Sequence, residues 1–171
     1  MPILRPDASE HAPYFQSYVT KVPGADAIAE LEASLDETCA LVAAHADKAD
    51  YAYAEGKWTV KQVLGHLIDA ERVFAYRALT FARADVGPLP GFEENHWAAA
   101  NTCAGRRLED LVAEMRAVRL ATLALFRGFD ASELSRSGTA SGRPFTVRSL
   151  AWIAAGHARH HLGILRDRYF G

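Results

Sequence analysis

Four stretches of the chain place apolar residues at alternating three- and four-residue steps, the spacing that lines one face of an α-helix. The first runs from about Asp26 to Ala46, with Ile28, Leu31, Leu35, Thr38 and Val42 on one seam. The second opens at Lys57-Trp58-Thr59 and continues to about Ala84, along Val60, Leu64, Leu67, Glu71, Phe74, Ala78 and Phe81. Thr59 and Gln62 form the S/T-x-x-E/Q pattern of a capping box, which marks where this helix starts. The third, about Leu108 to Phe126, aligns Leu108, Leu111, Met115, Val118, Thr122 and Leu125. The fourth follows Gly142-Arg143-Pro144-Phe145-Thr146, with Thr146 as its cap, and reaches about Tyr169. No strand pattern competes with these four. Helices of this number and length, each with one apolar stripe, predict an all-α fold: a four-helix bundle.

The segments between the helices refine the picture. Helices two and three are separated by a turn-rich stretch, Asp85-Val86-Gly87-Pro88-Leu89-Pro90-Gly91-Phe92, and then Glu93-Glu94-Asn95-His96-Trp97, which reads as a short helix. That separation is long for an antiparallel hairpin and predicts a crossover between helices two and three; long loops of this kind are often functional. Residues 1–24 form an N-terminal extension whose Tyr14, Phe15 and Tyr18 are expected to pack on the bundle. With no linker or low-complexity tract, residues 1–171 read as a single domain.

Composition narrows the function classes. A chain of 171 residues supports one sizeable core. A formal net charge of −2 offers no basic stripe for nucleic acid. No apolar run approaches the ~18 residues that span a bilayer, and Met1-Pro2-Ile3-Leu4-Arg5-Pro6-Asp7 lacks the features of a signal peptide. Cys39 and Cys103 are the only cysteines and are expected to pack as small hydrophobes. The expected location is cytoplasmic.

The histidines carry the chemistry. His157 and His161 are four apart, which stacks their side chains one helical turn above another with Cβ atoms roughly 6 Å apart. His66 lies seven residues beyond the Thr59 cap, and His157 and His161 lie eleven and fifteen beyond Thr146. These are about two, three and four turns, so all three imidazoles leave their helices in nearly one direction relative to the caps. On helix four the stripe Leu150, Ala154, His157, His161, Leu165 turns both toward the interior. A lone His66 would read as a core histidine, and the pair alone as readily as a surface pair near a helix C-terminus. Taken together, in apolar surroundings where imidazolium is costly, they read as a metal site.

At these residues the chain resembles the DinB/YfiT-like family of metal-dependent enzymes, over essentially its whole length. The likeness is carried by Arg5-Pro6 with Tyr14-Phe15 and Tyr18, by the block from Trp58 to Glu71 containing Gly65-His66-Leu67, by Leu89-Pro90-Gly91-Phe92, and by Gly156-His157-Ala158-Arg159-His160-His161. The resemblance implies a four-helix bundle, a homodimer, and a divalent metal ion held by His66, His157 and His161. All three positions carry histidine here.

Other residues receive separate readings. Asp69, three after His66, reads either as a helper that holds an imidazole N–H or a bound water, or as an exposed acid. Glu71 lies about 140° from His66 around the axis and is expected to pair with an arginine, such as Arg72 or Arg77, of a partner helix or subunit. Arg116 and Arg119 read as part of a solvated face of helix three. Trp58, Phe74, Tyr76 and Trp152 read as core. His160 points roughly 100° away from His161 and reads as a neighbour of the site, whereas His11, His45 and His96 have no partners at ligand spacing.

Three neutral imidazoles leave the charge of the ion uncompensated and at least one position open. With Zn²⁺ such a site acidifies a bound water to a pKa of about 7, which makes hydrolysis of a small electrophilic substrate the plain reading. A low-molecular-weight thiol in the open position would instead make the protein a thiol S-transferase, as the resemblance to such enzymes implies. A metal-binding or sensing bundle without turnover is the third reading. Imidazole donors suit Zn²⁺ and Ni²⁺ alike.

Overall fold

Each of the four apolar patterns folds as a helix, and two of them begin at reciprocal caps. The computed structural model describes residues 1–171. Its helices are α1 (Gln16–Val19), α2 (Ala27–Ala44), α3 (Val60–Ala82), α4 (Glu94–Ala100), α5 (Leu108–Arg127), α6 (Ala131–Ser135) and α7 (Val147–Ile164), the last continued by a π-helical segment, Leu165–Phe170. Thr59 Oγ1 accepts from the Gln62 amide at 3.2 Å while Gln62 Oε1 accepts from the Thr59 amide at 2.9 Å. Thr146 and Ser149 make the same exchange at the start of α7, at 3.0 Å in both directions. Such caps satisfy backbone groups that would otherwise be orphaned, at about 1 kcal/mol each.

α2, α3, α5 and α7 form the bundle. Both α2 and α3 pack on α5 and α7, so α2 and α3 face each other across a diagonal. Side-chain contacts fix the directions. Lys61 at the start of α3 donates to Ala104 O just before α5, and Arg83 and Glu133 meet just beyond the other ends, so α3 and α5 are parallel. Glu30 and Glu37 of α2 pair in order with Arg159 and Arg166, so α2 and α7 are parallel too. Trp58, before α3, accepts from Tyr169 beyond α7, which sets these two antiparallel. The order along the chain is therefore up, down, down, up. A parallel neighbouring pair requires the chain to return the length of the bundle between α3 and α5. Residues 83–107, including α4, make that crossover.

A two-stranded hairpin, β1 (Ser137–Ala140) with β2 (Arg143–Thr146), precedes α7, where the sequence shows no alternating pattern strong enough to predict it. Ser141 and Gly142 at its tip both have positive φ, 53° and 67°, as a tight two-residue hairpin turn requires. A Cβ at Gly138 would meet the Phe81 ring at 2.2 Å, so glycine lets the hairpin lie flat on α3.

The N-terminal residues pack against the bundle through Ile3, Val19 and Val22, all buried. Arg5 pins this segment by donating to Val19 O and Val22 O, at 2.6 and 2.7 Å, while its guanidinium lies 4.4 Å from the Trp152 ring centroid. Trp152 Nε1 donates to Ile3 O at 2.9 Å. Cys39 and Cys103 are buried and unbridged, as expected. No helix is long and apolar enough to cross a membrane.

The core divides along the bundle axis. One apolar cluster surrounds Phe81, Phe126 and Trp152, and another surrounds Leu64, Leu111 and Leu165. Along α7 and its π-helical continuation, the break between Ala155 of the first and Leu165 of the second contains His157 and His161.

Candidate metal centre

His66 from α3 and His157 and His161 from α7 meet in that break. One ring nitrogen from each lies within 4.8 Å of the others. The nearest pair is His66 Nε2 to His157 Nε2, 2.9 Å apart. At that distance either one nitrogen donates and the other accepts, or both face a shared cation. All three are buried, at 4%, 6% and 9% exposure.

Burial holds the three imidazoles neutral. The His66 pKa falls to about 4, chiefly from desolvation, with His160 adding to it. His157 and His161 are driven well below the usual histidine range, again by burial first and then by the neighbouring imidazoles. Neutral imidazole is the form with a lone pair to donate. Nδ1 of His161 is buried with no hydrogen-bond partner, and an unpaired polar atom in such a place is costly. Three converging neutral nitrogens with no carboxylate among them fit a divalent first-row cation.

Aromatic rings fix the imidazole planes. Trp58 lies 4.8 Å from His66 and stacks at 6.4 Å over His161, while Phe74 and Tyr18 each meet His157 edge-on at 5.6 Å. Tyr18 comes so close because residue 156 is glycine. A Cβ there would meet Tyr18 O at 2.1 Å. His160 is half-buried, 5.6 Å from Tyr18 and 5.0 Å from His161. Burial and Lys21 lower its pKa.

The remaining expectations fare differently. Asp69 is not in the histidine group. Its recorded partner is Arg72, at 3.9 Å, and burial raises its pKa. A three-residue step turns it 60° from His66, toward α5. Glu71 does pair with an arginine of another helix, but neither Arg72 nor Arg77 is that partner. Arg119 of α5 clamps it with two bonds of 2.7 and 2.8 Å. Arg119 is therefore no part of a solvated face; it is 4% exposed and also donates to Leu31 O and Ser34 Oγ. Arg116 stays outside, beside Asp36. Tyr76, read as core, is 59% exposed on the outer side of α3, whereas Phe74 and Trp152 are buried and Trp58 is half-buried. His11 is buried, His45 stacks on Phe170 and His96 is exposed, all away from the site.

Two cavities reach the histidines. One of about 150 Å³ touches His66 and His157, and another of about 210 Å³ touches His161 beside Trp58. The first is also lined by Arg77 and Ser141, which sequence reasoning did not connect with the site. The signal was present: Arg77 follows His66 by eleven residues, three turns and about 20°, and so shares its face.

The fold and the site together define a helical bundle built around a buried three-histidine cluster suited to a divalent cation. The model of the DinB superfamily matches residues 30–165. The chain belongs to the DinB superfamily. Its fold is similar to that of YfiT from Bacillus subtilis, described as a probable metal-dependent hydrolase with an unusual four-helix bundle topology. That likeness has a TM-score of 0.71 and covers 97% of this chain and 94% of that one at 17% identity. No curated protein matches the chain in sequence.

Proposed function

We propose that this protein is a metal-dependent hydrolase acting on a small electrophilic substrate, with one Zn²⁺ or Ni²⁺ ion held by His66, His157 and His161. The observation that carries this reading is the convergence of three buried imidazoles whose ring nitrogens lie within 4.8 Å of one another. The probable hydrolase activity of YfiT supports it. When bound, such an ion supplies a +2 charge that acidifies water or a thiol and polarises a carbonyl. The chain does the rest. Burial keeps protons from competing for the three nitrogens. Trp58, Phe74 and Tyr18 hold the rings in place and shield them from bulk water. Asp69 takes no part in this reading, because its carboxylate faces Arg72.

One observation favours a second reading, thiol transfer. Two cavities reach the cluster, one at His66 and His157 and one at His161, and a two-substrate reaction needs room for both partners. Homodimerisation is part of the proposal and is checked by sedimentation.

The test is metal analysis of the purified protein, then turnover of an ester and amide panel with and without added thiol. Stoichiometric metal with chelator-sensitive hydrolysis supports the hydrolase. A strict thiol requirement favours transfer. Full metallation with neither activity favours a binding or sensing role, and absence of metal affinity overturns the site.

A further inference from the structure

Arg77 is 4% exposed, yet it forms no ion pair. One terminal nitrogen donates to Pro90 O at 3.1 Å and to Ser141 Oγ at 2.8 Å. The other buried arginine, Arg119, has its charge matched by Glu71. A buried cation without an anion is expensive, and desolvation alone lowers the Arg77 pKa with no acid to offset it. Its guanidinium lines the same cavity of about 150 Å³ that His66 and His157 line. A space of roughly 150 Å³ takes a benzene-sized ring. Phe15, Tyr18, Phe74 and Phe92 supply apolar walls, and the exposed Tyr14, Glu94 and Ser141 open the cavity to solvent, which leaves room for the polar end of a longer ligand. Side chains on a helix lean toward its N-terminus, so Arg77 reaches back along α3 toward His66. The Ser141 hydroxyl accepts from Arg77 and keeps its own hydrogen for a ligand.

From this geometry we infer that the cavity is the substrate pocket and Arg77 its anion-binding residue. The substrate is a small aromatic carboxylate, its charged end on Arg77 and Ser141 and its reacting group toward His66 and His157. The inference rests on the histidine cluster as the reacting centre. A planar carboxylate suits the guanidinium fork. Glu94, exposed at the mouth of the same cavity, disfavours a more highly charged group.

The test is binding to chelator-treated protein, so that no ligand can bind through the ion and the metal assignment is not at stake. The probes are hydrocinnamate, hydrocinnamide and phenethyl phosphate, titrated calorimetrically. Hydrocinnamate should bind about tenfold or more tightly than its amide. Arg77→Met should erase that preference, and before chelation its metal content should match that of the unaltered protein; Glu94→Gln should strengthen acid binding. Should Arg77→Met fail to fold, Ser141→Ala decides: it should weaken the acid more than the amide, because the bond it removes is to a charged acceptor in the acid. Equal binding of acid and amide to the unaltered protein, or an intact preference in Arg77→Met, overturns the inference. Tighter binding of the phosphate than of the carboxylate overturns the substrate class. Loss of metal in His157→Ala with the acid preference retained would uphold both assignments separately.

Discussion

Two polar clusters sit inside this bundle, five residues apart on α3, and they are built to opposite rules. Around Glu71 both carboxylate oxygens meet Arg119, whose Nη1 meets Leu31 O and Ser34 Oγ, so every nitrogen of the guanidinium has a partner. Around His66 three imidazoles crowd together with no acid and no carbonyl among their hydrogen bonds, and one fully buried nitrogen is left without any partner. A saturated network has nothing left to offer a ligand. An unsaturated one stores binding capacity as a local cost to the fold, which is how polar groups retained for function differ from those retained for structure.

Substitution should separate the two most sharply. Arg119→Met leaves Glu71 buried and unpaired and should cost about 3–5 kcal/mol, read as a lowered urea midpoint. His157→Ala should cost the metal-free protein less than that while abolishing metal binding with the helical spectrum intact. Equal destabilisation by the two would erase the distinction.

Acid should divide them next. His66 is neutral in the folded chain down to about pH 4, whereas its ordinary value is 6.5. Between those values the unfolded chain binds the extra proton, so stability is complete above 6.5 and falls as the pH drops. His66 alone should remove on the order of 2 kcal/mol by about pH 5 in metal-free protein. His157 and His161 shift in the same direction and add to the loss. Bound metal should protect against it, and a flat urea midpoint from neutral pH to pH 5 would contradict the burial of neutral imidazoles.

The wall of the open cluster can also be disturbed alone. Gly156→Ala forces Tyr18 away from α7, at a cost of about 1–3 kcal/mol, and should weaken metal retention without touching a ligand. Thr59→Ala is the mildest change. Loss of that cap should cost about 1 kcal/mol and leave metal bound, because His66 lies two turns inside α3. Chelator competition against each variant measures both effects.

Sequence alone determined the four helices, the cap at Thr59 and the inward register of His66, His157 and His161, because helical periodicity and capping are local and survive in one dimension. The long segment between helices two and three likewise announced a crossover. Tertiary structure decided which helices touch. The sequence placed Arg119 on a solvated face and Tyr76 in the core, and packing reversed both, since a helix face is buried only by what lies against it. The partner of Glu71 and the meeting of Arg77 with Ser141 join residues 48 and 64 positions apart in the chain. No short-range pattern encodes such pairings; they exist only once the up, down, down, up order sets α5 and α7 beside α3.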